Sequence, residues 1–330
     1  MPARPPAVAR VLERVTATVR AHEMFAPGES VLAAVSGGAD SMCMLHALHL
    51  LRRLLKVKLA VFHFDHRLRA DSHKDASYVE RAATKLKLEF FLRVAESEPA
   101  RGESVEDWAH RARLRALALA MRDADAGKAA IAHTQDDQAE TVLIAAIRGG
   151  GLEALAGIRP SEGPFVRPLI DTTRAETEAF CRALHLRPRV DPTNRDTRLL
   201  RNAVRLKVIP QLEKSVGREV KASLARSASL LREDAVELQR RAAQQVTELL
   251  EEEPGGFALN AAALDAIPRS IATRVVRAAL YRLGGLPTAE GVDAVLDLAG
   301  GRPGRRRDLP GGLIATRDRE YVRVSASPAG

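Results

Sequence analysis

The chain has 330 residues, of which 46% are hydrophobic and 4% aromatic, and a formal net charge of +9 at pH 7. Length and apolar content suit two packed domains of ~150 residues each, and the positive excess points to a polyanionic partner. No apolar run nears the ~20 residues a bilayer span needs, which excludes a helical membrane protein and favours nucleic acid over lipid.

Met1 to Pro6 carry no apolar core of the kind a signal peptide has, so a cytoplasmic location is expected. Val8, Leu12, Val15 and Val19 recur at helical spacing and predict an opening amphipathic helix. Strands and helices then alternate. Strands are predicted at Val31–Val35, Lys58–Phe64, Glu89–Val94 and Lys128–Ala132, with helices at Ser41–Leu55, Ser72–Leu86, Ser104–Met121 and Gln138–Arg148. This alternation predicts an α/β fold, a doubly wound and mostly parallel sheet covered by helices on both faces. Ligands of such sheets sit at the C-terminal ends of the strands.

Thr173-x-x-Glu176 is a capping box that opens a further helix. From Arg187 to Lys207 seven basic residues stand against two acidic ones. Beyond Pro210 the character changes, and residues 211–330 are expected to form a smaller, mainly helical domain with a terminal hairpin near Gly311–Val324. Cys43 and Cys181 form no CxxC pair or zinc ligand set and read as two buried thiols.

The most informative segment is Ser36-Gly37-Gly38-Ala39-Asp40-Ser41, between the first predicted strand and its helix. A Gly pair there lets the backbone turn tightly and approach a ligand. The helix start offers unpaired N–H groups and a positive dipole end, which suit an anion. The segment is neither a Walker A loop nor a dinucleotide fingerprint. A carboxylate in a phosphate cradle needs a cation beside it, so Asp40 points to Mg²⁺.

Two other loops carry polar groups. His63-x-Asp65-His66 follows the second strand; no third histidine or cysteine lies at ligand spacing, so a polar loop over a nucleotide is preferred to a metal site. His133-Thr134-Gln135-Asp136-Asp137-Gln138-Ala139-Glu140 follows the fourth strand. Asp137 and Glu140 share one helix face there, and the cluster exceeds what helix capping needs, which suits an amine or a metal.

The hexapeptide resembles the PP-loop of the N-type ATP pyrophosphatases. Asp65-His66-x-Leu68-Arg69, Glu106 with Arg113, His133-x-x-Asp136-Asp137-Gln138-x-Glu140-Thr141, Arg148-Gly-Gly-Gly with Leu155-x-Gly157, Arg167-Pro168-Leu169, and Asp191-Pro192-Thr193-Asn194 with Arg201-Asn202-x-x-Arg205 follow in order. Over about residues 30 to 210 this set is similar to the tRNA(Ile)-lysidine synthetases, with an adenine nucleotide alpha hydrolase-like catalytic domain over 1–210 and a tRNA-binding domain over 211–330.

The resemblance implies an ATP-dependent ligation of free lysine to the wobble cytidine of the isoleucine tRNA with a CAU anticodon, through an adenylated cytidine. It implies ATP as substrate, bound by Ser36 to Ser41 and His63, with Mg²⁺ on Asp40. Arg113, Asp137 and Glu140 would take the lysine; Asp40, His133 and Asp137 would serve the chemistry; Asn194, Arg201, Asn202 and Arg205 would hold the tRNA. A homodimer is compatible with it. Arg67 stands where the family usually has Gly, and His110 and Leu114 where it often has Arg and Tyr. The alternatives are a tRNA thiolase on the same scaffold and a catalytically silent RNA-binding protein.

Overall fold

A computed structural model describes residues 4–67, 71–97, 99, 105–284 and 287–327. Its first compact unit runs to Leu230, and the second begins at Leu231.

The first unit opens with α1 (Pro6–Ala21), whose buried Val8, Leu12, Val15 and Val19 form the predicted stripe. There follow β1 (Ser30–Ala34), α2 (Ala39–Leu55), β2 (Lys58–Asp65), α3 (His73–Leu86), β3 (Phe90–Val94), α4 (Val105–Asp123), β4 (Lys128–Ile131) and α5 (Gln135–Ile147). After these come α6 (Leu152–Leu155), β5 (Ser161–Glu162), β6 (Phe165–Val166), α7 (Arg174–Ala183), α8 (Leu200–Ala203), α9 (Ile209–Val216) and the long α10 (Val220–Leu249). α5 starts three residues before its predicted start because Thr134 caps it, accepting from the Asp137 N–H while the Asp137 carboxylate answers.

The sheet order is β3-β2-β1-β4-β6-β5. Every pair is parallel except β5–β6. The run Val31 to Val35 is apolar throughout because both faces of β1 are covered. Val31 and Ala33 pack with residues of α1, α2, α3 and α7, such as Val15, Leu45, Val79 and Phe180. Leu32 faces the other way, onto Leu117 and Met121 of α4.

From β1 the chain winds outward to β2 and β3, then returns to lay β4 on the other side of β1. The winding direction therefore reverses between β1 and β4. The crevice at such a reversal is where doubly wound sheets bind ligands, and the loops after Val35 and Ala132 both open there.

The second unit has the expected majority of helix and adds more sheet than the one hairpin expected. β7 (Leu250–Glu253), β8 (Gly256–Asn260), β9 (Arg306–Leu309), β10 (Leu313–Arg317) and β11 (Tyr321–Ala326) form an antiparallel sheet in the order β7-β8-β11-β10-β9. α11 (Ala261–Ala266), α12 (Arg269–Arg282) and α13 (Ala289–Ala299) share its core with Phe257, Leu259, Ala315, Val322 and Val324. The expected hairpin is β10–β11, with Ala315 opposite Val324, and β11 pairs on with β8. The acidic run Glu251–Glu253 lies in the edge strand β7. Charge on an edge strand guards against pairing with other chains and erases the apolar alternation that marks a strand. Among the described residues no helix is long and apolar enough to cross a membrane.

Candidate active site

The Ser36–Ser41 loop is held by its own serines. Ser41 Oγ accepts from the N–H groups of Ser36 at 3.2 Å and Gly37 at 3.1 Å, and donates to the Gly38 carbonyl at 3.0 Å. Gly37 has φ +93°, in the left-handed region, while a Cβ there would meet its nearest neighbour at an ordinary 3.5 Å. Glycine is required at this position for its backbone angle and not for space. The first N–H groups of α2 then point out of the helix start with no partner in the helix itself.

Asp40 lies in the first turn of α2. Its Oδ1 accepts from Thr177 Oγ1, and its Oδ2 lies 3.4 Å from Arg174 Nε. Burial pushes its carboxyl above the usual range, with Thr177 and Arg174 pulling against that. His63 is buried at the end of β2 with Nδ1 2.7 Å from the Val35 carbonyl. A carbonyl only accepts, so Nδ1 carries the proton and Nε2 is left as an acceptor. Arg67, in the family's usual Gly position, adopts φ 54°. Leu68 and Arg69 lie outside the described residues, as do the side chains of Glu106, His110 and Asn194.

Across the crevice, α5 presents Asp136, Asp137 and Glu140. Asp137 Oδ2 accepts from the Thr134 N–H and hydroxyl at 2.8 Å each. Its Oδ1 accepts from Arg174 Nη2 and Arg201 Nη2, both at 3.2 Å. Glu140, with a side chain 3% exposed, accepts from Arg174 Nη1 at 3.2 Å and Arg201 Nε at 2.9 Å. Asp136 accepts from the Arg174 backbone N–H and from Lys221 Nζ, both at 2.8 Å. Burial pushes the Asp137 carboxyl up, but Arg174 and Arg201 outweigh it and hold the group below its usual range. Arg174 thus ties the loop carboxylate Asp40 to the acidic helix.

A cavity of about 300 Å³ opens beside this network, lined by Arg113, Leu114, His133, Glu162, Phe165 and Arg167 among others. His133 Nδ1 and Arg167 Nε are buried without a hydrogen-bond partner among the described residues. Burial drives the His133 pKa down to about 3, with Asp137 opposing and Arg113, Arg167 and Arg201 assisting. Its imidazole is therefore neutral at pH 7.

The same physics gives a stability prediction. Burial lowers His46 and His66 to about 4 and His133 to about 3. The unfolded chain takes up these protons near pH 6.5 while the folded chain does not. The stabilisation is complete above pH 6.5 and drains away as pH falls toward 4. His46, on α2 and remote from the acidic helix, isolates the effect. In urea unfolding between pH 6 and 5, His46→Gln is expected to flatten the loss by about 1.4 kcal/mol per pH unit. An unchanged slope would mean that the folded protein protonates His46.

The segment expected to hold RNA is partly turned inward. The Arg189 N–H donates to the Gly37 carbonyl at 2.9 Å, so the basic stretch starts against the phosphate loop. Asn202 Nδ2 donates to the carbonyls of Thr193 and Asp196, both at 3.0 Å, and so braces the preceding turn. Arg201 reaches into the acidic cluster. Arg205 sits on a wide helical turn, Val204–Val208, of the π type that often marks functional segments.

The structure thus brings Asp40, Asp137, Glu140 and Arg201 into one network, with Arg113 and His133 on its rim. Sequence reasoning missed Arg174, Thr177 and Lys221. Arg174 follows the cap Thr173 and reads as an ordinary helix surface residue.

Known proteins resemble the chain along most of its length. Residues 9–212 match the family model of a PP-loop domain, and residues 259–323 match that of the TilS substrate binding domain. The chain is 39% identical over 321 residues to the tRNA(Ile)-lysidine synthase of Symbiobacterium thermophilum, covering 92% of this chain and 66% of that protein. It is 38% identical over 313 residues to that of Solibacter usitatus, covering 91% and 68%. It therefore spans about two thirds of the length of these curated relatives. The structure is similar to the U34-tRNA thiolase NcsA from Methanococcus maripaludis, with a TM-score of 0.58 and 17% identity over 68% of this chain and 80% of that one, a likeness of fold alone. With a PP-loop over the site just described and relatives this similar along most of its length, the chain belongs to the tRNA(Ile)-lysidine synthase family of PP-loop proteins.

Proposed function

We propose that this chain ligates free lysine to C2 of the wobble cytidine in a CAU-anticodon isoleucine tRNA at the expense of ATP. The observation that carries the reading is the pairing of Asp137 and Glu140 with two guanidinium groups beside the phosphate cradle. It marks a seat for an alkyl ammonium within reach of an activated phosphate ester.

In the first step the cytosine O2 attacks the α-phosphorus of ATP and pyrophosphate leaves. The N–H groups at the start of α2, with the hydroxyl of Ser36, hold the phosphates, and Ser41 braces the loop that carries them. The buried His63 supports the loop through Val35. Magnesium uses one or two carboxylates plus substrate phosphates, and Asp40, a hard oxygen ligand at the cradle, fits that requirement. A Mg²⁺ held by Asp40 would neutralise charge on the departing pyrophosphate.

In the second step the lysine ε-amine attacks C2, the C2–O bond breaks so that AMP leaves carrying the former O2, and the amine sheds its proton. Asp137 and Glu140 bind an ammonium group and Arg113 the carboxylate. His133, neutral with Nδ1 lacking a hydrogen-bond partner among the described residues, can pass the proton on but not keep it, because burial holds its pKa to about 3. Asp137 is a poorer base because both its oxygens already accept hydrogen bonds. Basic residues of the 187–207 stretch contact tRNA phosphates. tRNA and ATP place the reaction in the cytoplasm.

A thiolase requires reactive thiolates. Burial pushes the Cys43 thiol far up and that of Cys181 up to about 12, so both stay protonated.

The test is incubation with a CAU-anticodon isoleucine tRNA transcript, ATP, Mg²⁺ and labelled lysine. Label in the tRNA is expected, with pyrophosphate and AMP released in equal amounts. Sulfur in the product nucleoside, or RNA binding with no pyrophosphate release, would overturn the reading.

A further inference from the structure

Asp137 and Glu140 have no oxygen to spare. Asp137 Oδ2 is spent on the Thr134 cap and its Oδ1 is shared by Arg174 and Arg201. One oxygen of Glu140 is taken by Arg174 and the other by Arg201, and the side chain is 3% exposed. Asp137 thus accepts from four donors, and Glu140 keeps spare lone pairs but is buried, so an incoming ammonium reaches both carboxylates by taking the place of a guanidinium.

The two guanidinium groups are not equally held. Arg174 has a side chain 15% exposed, spans Asp40, Asp137 and Glu140, and has its own N–H fixed by Asp136 at 2.8 Å. Arg201 has a side chain 36% exposed and sits on α8, the opening turn of a helical run that continues to Val216. That turn belongs to the basic stretch 187–207, where cations outnumber anions seven to two.

We infer that Arg201 is a placeholder for the substrate amine: it occupies the ammonium seat on Asp137 and Glu140 until an RNA phosphate draws it out. Exchange of Arg201 for an ammonium leaves the charge of the cluster unchanged. It also relieves a repulsion, because Arg201 lies near enough to Arg113 to disfavour the charge of that buried guanidinium. A zwitterionic amino acid replaces the repulsion with a carboxylate on Arg113. Substrate binding is thereby coupled to tRNA, and the acidic pair is not open to free amines when no tRNA is present. The placeholder role rests on the lysine-ligation reading.

The test is equilibrium dialysis of labelled lysine with and without the CAU-anticodon transcript. Wild-type protein is expected to bind lysine at least tenfold more tightly with the transcript. Arg201→Ala is expected to bind lysine at least tenfold more tightly than wild type without RNA, with no further gain when RNA is added. Arg201→Lys keeps a cation in the seat and is expected to keep the RNA dependence, which controls for folding. Arg201→Ala binding that is unchanged, or that still depends on the transcript, would overturn the placeholder role while wild-type lysine incorporation stands. Absence of wild-type incorporation would instead overturn the reaction on which the role rests.

Discussion

Arg174→Met is expected to lower lysine incorporation roughly a hundredfold, the cost of misplaced reacting groups, and to destabilise the first unit by roughly 3 kcal/mol, the cost of breaking a buried pair. The guanidinium bonds Asp40, Asp137 and Glu140, at 3.4, 3.2 and 3.2 Å respectively. Burial alone would pull its pKa down, but the carboxylates push it up, a sign that charge pairing outweighs desolvation at this position. Without Arg174, which lowers the pKa of both Asp40 and Asp137, these two carboxyls are expected to titrate above the unfolded chain. The folded variant then binds more protons than the unfolded one. Its deficit is therefore largest above pH 7 and shrinks as pH falls toward 5. Urea unfolding of variant and wild type at pH 8 and pH 5.5 checks the sign. A deficit that grows on acidification would rule out the charge-pair account. Arg174→Lys is expected to recover part of the stability and little of the activity, since an ammonium is a point charge and cannot fork across three carboxylates.

Gly157→Ala is expected to cost about 3 kcal/mol, from left-handed strain together with unpaired buried groups. Gly157 has φ +65°, and a Cβ there would lie 2.7 Å from Gln138 Oε1 and 2.9 Å from Cδ. Gln138 is 2% exposed, so it has little room to move aside. Its Oε1 accepts from the Ile158 N–H at 2.6 Å and its Nε2 donates to the Ile158 carbonyl at 3.3 Å. Displacing the amide breaks both bonds. Gly163 is the control. It has φ +56° with nothing within 4 Å of the added Cβ, so Gly163→Ala should show the backbone cost of ~1 kcal/mol alone. Equal losses in thermal unfolding of the two variants would remove the Gln138 clash from the explanation. Gln138 lies on α5 between Asp137 and Glu140, so the same substitution is expected to loosen the acidic pair.

The first unit was legible along β1, α2, β2 and α3. Strands buried on both faces read as unbroken apolar runs, and one-sided helices carry the 3.6-residue stripe seen in α1. The phosphate loop was legible too, because a Gly pair, a flanking strand and a helix start within six residues constrain one another. Asp137 and Glu140 stood out since a spacing of three places them on one helix face. The second unit was misread where its strands carry charge. Arg306, Arg307 and Glu251–Glu253 lie on edge strands, where alternation need not be apolar.

The cations that fill the acidic cluster left no such trace. Arg174 and Asp137 are 37 residues apart, and Arg201 and Glu140 are 61 apart. Helix and strand periodicities are properties of neighbouring residues along one backbone, so they can be read before any contact forms. They settled the doubly wound class. Ion pairs between elements depend on how the sheet is wound. The reversal of strand order between β1 and β4 brings Asp40 opposite the acidic helix, so that α7 reaches both and α8 reaches the helix. Only that winding shows that Asp137 and Glu140 are already paired with two arginines of the same chain.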